Sequence, residues 1–135
     1  MELQKDIKIL LAEDNKINQQ IVVFTLKQLQ LKCDIACNGK EAFEMVQLKR
    51  YDLILMDIQM PVKNGFEATR LIREFEKETC SPHRAYIIAL SANVISEKRQ
   101  ECIEAGMDDF MEKPIQKSML QSFISQFGTD HNNRP

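Results

Sequence analysis

Leu53-Ile54-Leu55-Met56-Asp57, continuing into Ile58-Gln59-Met60-Pro61-Val62-Lys63-Asn64-Gly65, is the stretch on which the fold turns. Four consecutive apolar residues bounded by turn chemistry predict a short strand buried on both faces, as the central strands of parallel sheets are. The run ends on an aspartate. A carboxylate at the carboxyl end of a central strand has left the core but is still positioned by it, and open α/β sheets place their ligand sites there. On this fragment alone Asp57 reads equally well as the opening residue of a turn with Pro61 and Gly65.

Working outward, Ile7-Lys8-Ile9-Leu10-Leu11-Ala12 is a compact strand-like run that ends on the acidic pair Glu13-Asp14. Asn15 or Asn18 then caps a helix reaching about Leu29. Cys33-Asp34-Ile35-Ala36 reads as a second short strand, with Asn38-Gly39 as a turn and a helix from Lys40 to about Lys49. Beyond the opening stretch, Phe66, Ala68, Leu71, Ile72 and Phe75 recur at helical spacing from Gly65 to about Glu78. Cys80 to Arg84 is a loop, and Ala85 to Leu90 is a fourth strand that stops at Ser91. Ser96 caps a helix through about Ala105, closed by Gly106. Asp109-Phe110-Met111-Glu112 is a last strand ending at Lys113-Pro114, and an amphipathic helix follows from about Gln116 to Gln126. Strand and helix alternate throughout with short loops, which predicts a parallel sheet with helices on both faces and right-handed crossovers.

The 135 residues suit one domain, and a hydrophobic content of 44% supports a packed core. No apolar run is long enough to span a membrane, and Met1 to Asp6 carries no apolar signal segment, so a cytoplasmic domain without membrane contact is expected. A net charge of −2, from 18 basic and 20 acidic residues, argues against direct nucleic-acid binding. The four cysteines (Cys33, Cys37, Cys80 and Cys102) show no metal-site spacing and read as small core hydrophobes.

The chemistry collects at strand ends. Glu13 and Asp14 follow the first strand, Asp57 ends the third, Ser91 the fourth and Lys113 the fifth. In a parallel sheet those ends share one edge, so three acids, a hydroxyl and an ammonium converge. Two carboxylates about 5 Å apart repel by roughly 3 kcal/mol at an effective dielectric near 20. Three crowded acids must therefore protonate, separate or hold a cation. Hard oxygen donors without histidine or cysteine point to Mg²⁺. Magnesium beside an aspartate and a lysine is equipment for phosphoryl transfer, with an aspartate carboxylate able to serve as nucleophile.

These residues stand in motifs: Ala12-Glu13-Asp14-Asn15, Met56-Asp57-Ile58-Gln59-Met60-Pro61, Asn64-Gly65-Phe66-Glu67-Ala68, Leu90-Ser91-Ala92 and Phe110-Met111-Glu112-Lys113-Pro114. Taken in order, each after its own strand, they resemble the response-regulator receiver domains of two-component signalling over about Ile7 to Phe127. The resemblance implies a flavodoxin-like (βα)5 fold with strand order 2-1-3-4-5, a receiver over 1–128 and a polar tail over 129–135. It implies that Asp57 accepts a phosphoryl group from a phosphohistidine. Asp14, Asp57 and the Gln59 carbonyl would ligate Mg²⁺, with Glu13 acting mainly through water. Ser91 and Lys113 would hold phosphoryl oxygens, beside the small Ala92. Phe110 stands where the family often has tyrosine, so a switch with Ser91 through the aromatic ring survives and any role of a tyrosine hydroxyl is lost. Gln59 and Asn93 fall where receivers tune dephosphorylation.

The first helix is unusually apolar. Val22, Leu26 and Leu29 form a stripe for the sheet, while Ile17, Ile21 and Phe24 form a second one that either docks a partner or packs on the last helix. By the resemblance, the docking partner is a histidine phosphotransfer bundle or a histidine kinase. The spelling around Asp57 most resembles receivers of hybrid histidine kinases, and an excised carboxyl-terminal receiver is favoured over a stand-alone regulator. The reading is of a signalling domain rather than an enzyme acting on outside substrates. A haloacid-dehalogenase-type phosphatase needs a second aspartate where Gln59 stands, and a flavin-binding module needs a phosphate-cradling loop that this chain lacks.

Overall fold

The computed structural model describes residues 7–92 and 96–133. Ten elements alternate along them: β1 (Ile9–Ala12), α1 (Lys16–Gln28), β2 (Asp34–Ala36), α2 (Gly39–Leu48), β3 (Leu53–Asp57), α3 (Gly65–Glu78), β4 (Tyr86–Ser91), α4 (Ser96–Ala105), β5 (Asp109–Glu112) and α5 (Lys117–Asn133). The strands form a single sheet in the order β2-β1-β3-β4-β5, and every neighbouring pair is parallel. The expected architecture and strand order are therefore the observed ones.

The three central strands are buried on both faces, and their side chains alternate between two cores. Leu10, Ala12, Ile54, Met56, Ile87 and Ala89 join one core, with Ala42, Phe66, Ala68, Ile72 and Cys102 from α2, α3 and α4. Ile9, Leu11, Leu53, Leu55, Ile88 and Leu90 join the other, with Val22 and Leu26 from α1 and Leu120 and Ile124 from α5. An unbroken apolar run is thus a strand whose even and odd residues serve different layers.

Asparagine caps aim the helices. The Asn15 side chain accepts from the Asn18 N–H, which decides between the two caps open for α1. Asn38 accepts from the Glu41 N–H, and Asn64 and Glu67 form a reciprocal capping box at the start of α3. Such caps are each worth about 1 kcal/mol. Gly106 closes α4 at φ +104°, a conformation that a Cβ would strain.

Some boundaries move. β1 starts at Ile9 and β2 at Asp34, both later than the apolar runs indicate. β4 is displaced by one residue, to Tyr86–Ser91. The Ala85 N–H is taken by the Glu76 carboxylate at 2.8 Å, while the Ser91 carbonyl still accepts from the Lys113 N–H at 2.8 Å. The last helix runs on to Asn133 instead of stopping at about Gln126, since an established helix gains one hydrogen bond per residue added. The polar tail expected over 129–135 is therefore helical as far as Asn133. Asn93 lies outside the described residues. Among the described residues no helix is long and apolar enough to cross a membrane.

Candidate functional site

The carboxyl edge of the sheet gathers the predicted residues. β3 carries Asp57 as its last residue, β4 ends on Ser91, Glu13 and Asp14 follow β1, and Lys113 follows β5. Carboxylate oxygens of Glu13, Asp14 and Asp57 all lie within 4.8 Å of one another. Glu13, Asp57 and Ser91 are buried, while Asp14 is exposed at the mouth. One oxygen of Asp57 accepts from the Gln59 N–H at 3.0 Å, and the other accepts from Lys113 Nζ at 3.0 Å. Lys113 Nζ also stands 2.9 Å from Glu13 Oε1.

Backbone closures hold these groups in place. The Ile58 N–H donates to the Leu90 carbonyl at 3.1 Å, and the Gly65 N–H folds the loop back onto the Ile58 carbonyl at 3.2 Å. A Cβ on Gly65 would overlap the Asp57 carbonyl oxygen, so the close approach requires glycine. Pro114, after Lys113, follows a cis peptide bond.

The electrostatics are those of an overcrowded acid site. Burial pushes the Glu13 carboxyl above its ordinary value; the Lys113 ammonium opposes this and Asp57 adds to it. Burial favours the neutral amine of Lys113, but the Glu13 and Asp57 carboxylates outweigh it and raise the group above its ordinary value. Although Lys113 is near, Glu13 Oε1 makes no well-directed hydrogen bond and is a buried acceptor with capacity to spare. Among the described residues, one ammonium balances one of three carboxylates. The oxygen-only donor set and the unsatisfied acceptor fit a hard divalent cation such as Mg²⁺.

Other predicted residues take distinct places. Phe110 is half-buried against the core that contains Met56 and Ala89. Ile17 and Phe24 are 68% and 62% exposed, and Ile21 is 38% exposed, so the second stripe of α1 is not consumed by packing on α5. Val22 and Leu26 do face the sheet.

Three features escaped the sequence reading. The Arg99 guanidinium stacks over the Phe110 ring, 4.3 Å from its centroid. Arg73 donates to the Gly106 carbonyl at 2.9 Å and the Ala85 carbonyl at 2.8 Å, and pairs with Asp108 at 2.8 Å, tying α3 to β4 and the turn before β5. Val62 has φ +69° in the loop after Asp57, a backbone that strains a β-branched residue by about 1–3 kcal/mol. The first two join residues distant in sequence, and no local pattern signals them. For the third, only the neighbouring proline and glycine hint at an unusual turn.

The motif order, the parallel sheet and this cluster define a receiver-type α/β domain, and comparison with known proteins agrees. A family model described as the response regulator receiver domain matches residues 9–125, and the chain belongs to that family. It is 38% identical to hybrid signal transduction histidine kinase K of Dictyostelium discoideum over 97% of this chain and 11% of that protein. Hybrid signal transduction histidine kinase B of the same organism is 47% identical over 85% of this chain and 6% of that protein. The chain thus spans a small part of the curated relatives it matches.

Two solved structures extend the comparison. The receiver domain of a sensor histidine kinase from Pseudomonas aeruginosa PAO1, with a magnesium ion coordinated in its active-site cleft, superposes with a TM-score of 0.80. It is 36% identical, covering 91% of this chain and 98% of that one. The receiver domain of the Saccharomyces cerevisiae response regulator Ssk1, co-crystallised with the histidine phosphotransfer protein Ypd1, reaches a TM-score of 0.88. That similarity holds at 32% identity over 94% of this chain and 92% of that one.

Proposed function

We propose that this receiver domain takes a phosphoryl group from a phosphohistidine of a partner protein onto Asp57, with Mg²⁺ bound, and switches or relays a signal by doing so. One observation carries the reading. Asp57 is a nearly buried carboxylate at a central strand end, with one oxygen held by the Gln59 N–H and the other by Lys113, and with Glu13 and Asp14 beside it. A fixed nucleophile surrounded by charge-balancing groups is what phosphoryl transfer requires.

Asp14, Asp57 and the Gln59 carbonyl would hold Mg²⁺, with Glu13 acting through water. Bound there, the ion supplies neutralisation of the acid cluster and of the charge on the transferring group. An Asp57 oxygen attacks phosphorus, the phosphorus–nitrogen bond breaks, and its electron pair returns to the donor imidazole. Lys113, now shared by Asp57 and Glu13, moves its charge toward the new phosphoryl oxygens. The Ser91 hydroxyl donates to another of them. Movement of Ser91 opens space into which Phe110 turns, leaving Arg99 and re-facing α4, β5 and α5. The switch works because the phosphorylated form prefers one of two pre-existing arrangements. Slow hydrolysis of the same acyl phosphate, a self-directed reaction, resets it.

The exposed residues Ile17, Ile21 and Phe24 serve as the docking patch for a histidine phosphotransfer bundle or a histidine kinase. The similarity to short segments of much longer hybrid kinases supports a receiver of a cytoplasmic hybrid-kinase phosphorelay. The test is incubation with acetyl phosphate, with and without Mg²⁺, read by intact mass. Wild type gains one phosphoryl group only with Mg²⁺, and Asp57→Asn gains none. Equal labelling of the two proteins refutes the assignment.

A further inference from the structure

We infer that the cleft between the carboxyl ends of α2 and α3 is a binding site for a small amphipathic anion, with an apolar body and one carboxylate or sulfonate head. The cleft encloses about 380 Å³, within the range of ligand pockets, which starts at about 300 Å³. It lies at the amino edge of the sheet, between Tyr51, just before β3, and Ala85, just before β4. About 20 Å of strand separates Tyr51 from Asp57, so the cleft is not an extension of the acid cluster. Val46 from α2, Ile54 from β3, Phe75 from α3 and Ala85 form its apolar surface.

The walls are fixed by their own contacts. The Phe75 ring stands edge-on to Phe43, with centroids 6.2 Å apart, and His83 Nε2 donates to the Tyr51 carbonyl at 2.7 Å. Walls held in this way keep the space open before a ligand arrives, which lowers the cost of binding. Charge then chooses the occupant. Glu76 is an acid on the lining, but one of its oxygens is taken by Arg73 at 2.9 Å and the other by the Ala85 N–H at 2.8 Å. Lys49 is paired with Asp34 at 2.9 Å. Arg50 is exposed at the rim and makes no ion pair with any described residue. The cleft therefore offers apolar faces and one uncommitted guanidinium, whose planar fork matches a carboxylate or a similar oxyanion. A neutral apolar ligand leaves that cation unused, and a cationic one is repelled by it.

The probe is anilinonaphthalene sulfonate, an apolar anion whose fluorescence rises on leaving water, titrated into wild type, Arg50→Gln and Val46→Phe. Cys80 lines the same cleft and is an exposed free thiol, whereas Cys37, also exposed, follows β2 at the opposite edge of the sheet. The rate at which iodoacetamide alkylates each of them, resolved by mass spectrometry, therefore locates the probe. Expected are one saturable site, slowed alkylation of Cys80 at saturation, and unchanged alkylation of Cys37. Affinity should fall about fivefold in Arg50→Gln and be lost in Val46→Phe, whose ring fills the cleft. Absence of saturable binding overturns the proposal, as does binding that leaves Cys80 as reactive as before or persists undiminished in folded Val46→Phe. Equal affinity in Arg50→Gln and wild type also overturns it, and so does equal affinity of wild type for the neutral phenylnaphthylamine. Arg50 is exposed, so Arg50→Gln retains the fold and keeps the test decisive if Val46→Phe does not fold.

Discussion

Replacing Lys113 by methionine keeps most of the side-chain volume and deletes an ammonium that lies within 3.0 Å of both Glu13 and Asp57. At an effective dielectric near 20 each of these contacts amounts to about 5–6 kcal/mol of gross attraction. Desolvation of the three groups offsets much of that. Removing one partner from a buried ion pair has a net effect of about 3–5 kcal/mol, because the remaining charge stays buried. Glu13 and Asp57 are 1% and 4% exposed, but the Lys113 side chain is 17% exposed and partly solvated, so the lower end, about 3 kcal/mol, is expected in EDTA at pH 7.5. The sign of the pH effect follows from Glu13. Its carboxyl is already raised by burial, with Lys113 opposing the rise, so the variant raises it further. A carboxyl whose folded value exceeds its unfolded value favours the fold below the unfolded value and loses that advantage as pH rises through the folded one. The deficit relative to wild type is therefore largest at neutral pH and shrinks on acidification toward pH 5. Divalent binding should be stronger in the variant, and at one hundred times Kd it returns about 2.7 kcal/mol. Urea unfolding of both proteins at pH 7.5 and pH 5, in EDTA and in Mg²⁺, measures every term. A variant as stable as wild type in EDTA at pH 7.5, or a deficit that does not narrow at pH 5, refutes the charge-balance argument.

Phe24→Ala should leave the urea midpoint within about 0.5 kcal/mol of wild type, since the ring is 62% exposed, while slowing transfer from a phosphotransfer protein; unchanged transfer removes Phe24 from the docking patch. Gly65→Ala places a Cβ against the Asp57 carbonyl and 2.8 Å from Ile58 Cα, both backbone. It should destabilise by about 1–3 kcal/mol and slow labelling of Asp57 by acetyl phosphate, and normal values in both measurements contradict the close-approach account.

The reading of β3 shows what a local pattern carries. Leu53 to Met56 announced a strand buried on both faces, and the two cores confirm it residue by residue. α3 has the expected limits, Gly65–Glu78, and α4 ends at Ala105 as expected, because the Asn64 cap and Gly106 lie at those boundaries; Ser96, expected as the cap of α4, is instead its first residue. Some errors fall where long-range bonds decide. Ala85 has every local property of a strand residue, but Glu76 from α3 claims its N–H and β4 begins one residue later. Likewise nothing near Phe110 indicates that Arg99 covers its ring.

The amino-acid sequence by itself determined the alternation of strands and helices, the family motifs, and the identity of the acids, hydroxyl and ammonium at four strand ends. Each of these rests on periodicity, capping chemistry or residue type, which act over a few neighbours. Only the tertiary structure decided that Lys113 bridges Glu13 and Asp57, that Ile17 and Phe24 are left exposed, and that Val62 is held at positive φ. Those facts depend on packing five parallel strands at one register, which brings together groups up to a hundred residues apart (from Glu13 to Lys113). Asp57 stands where both kinds of information meet: its own strand puts it at the edge, and the neighbouring strands supply the charges around it.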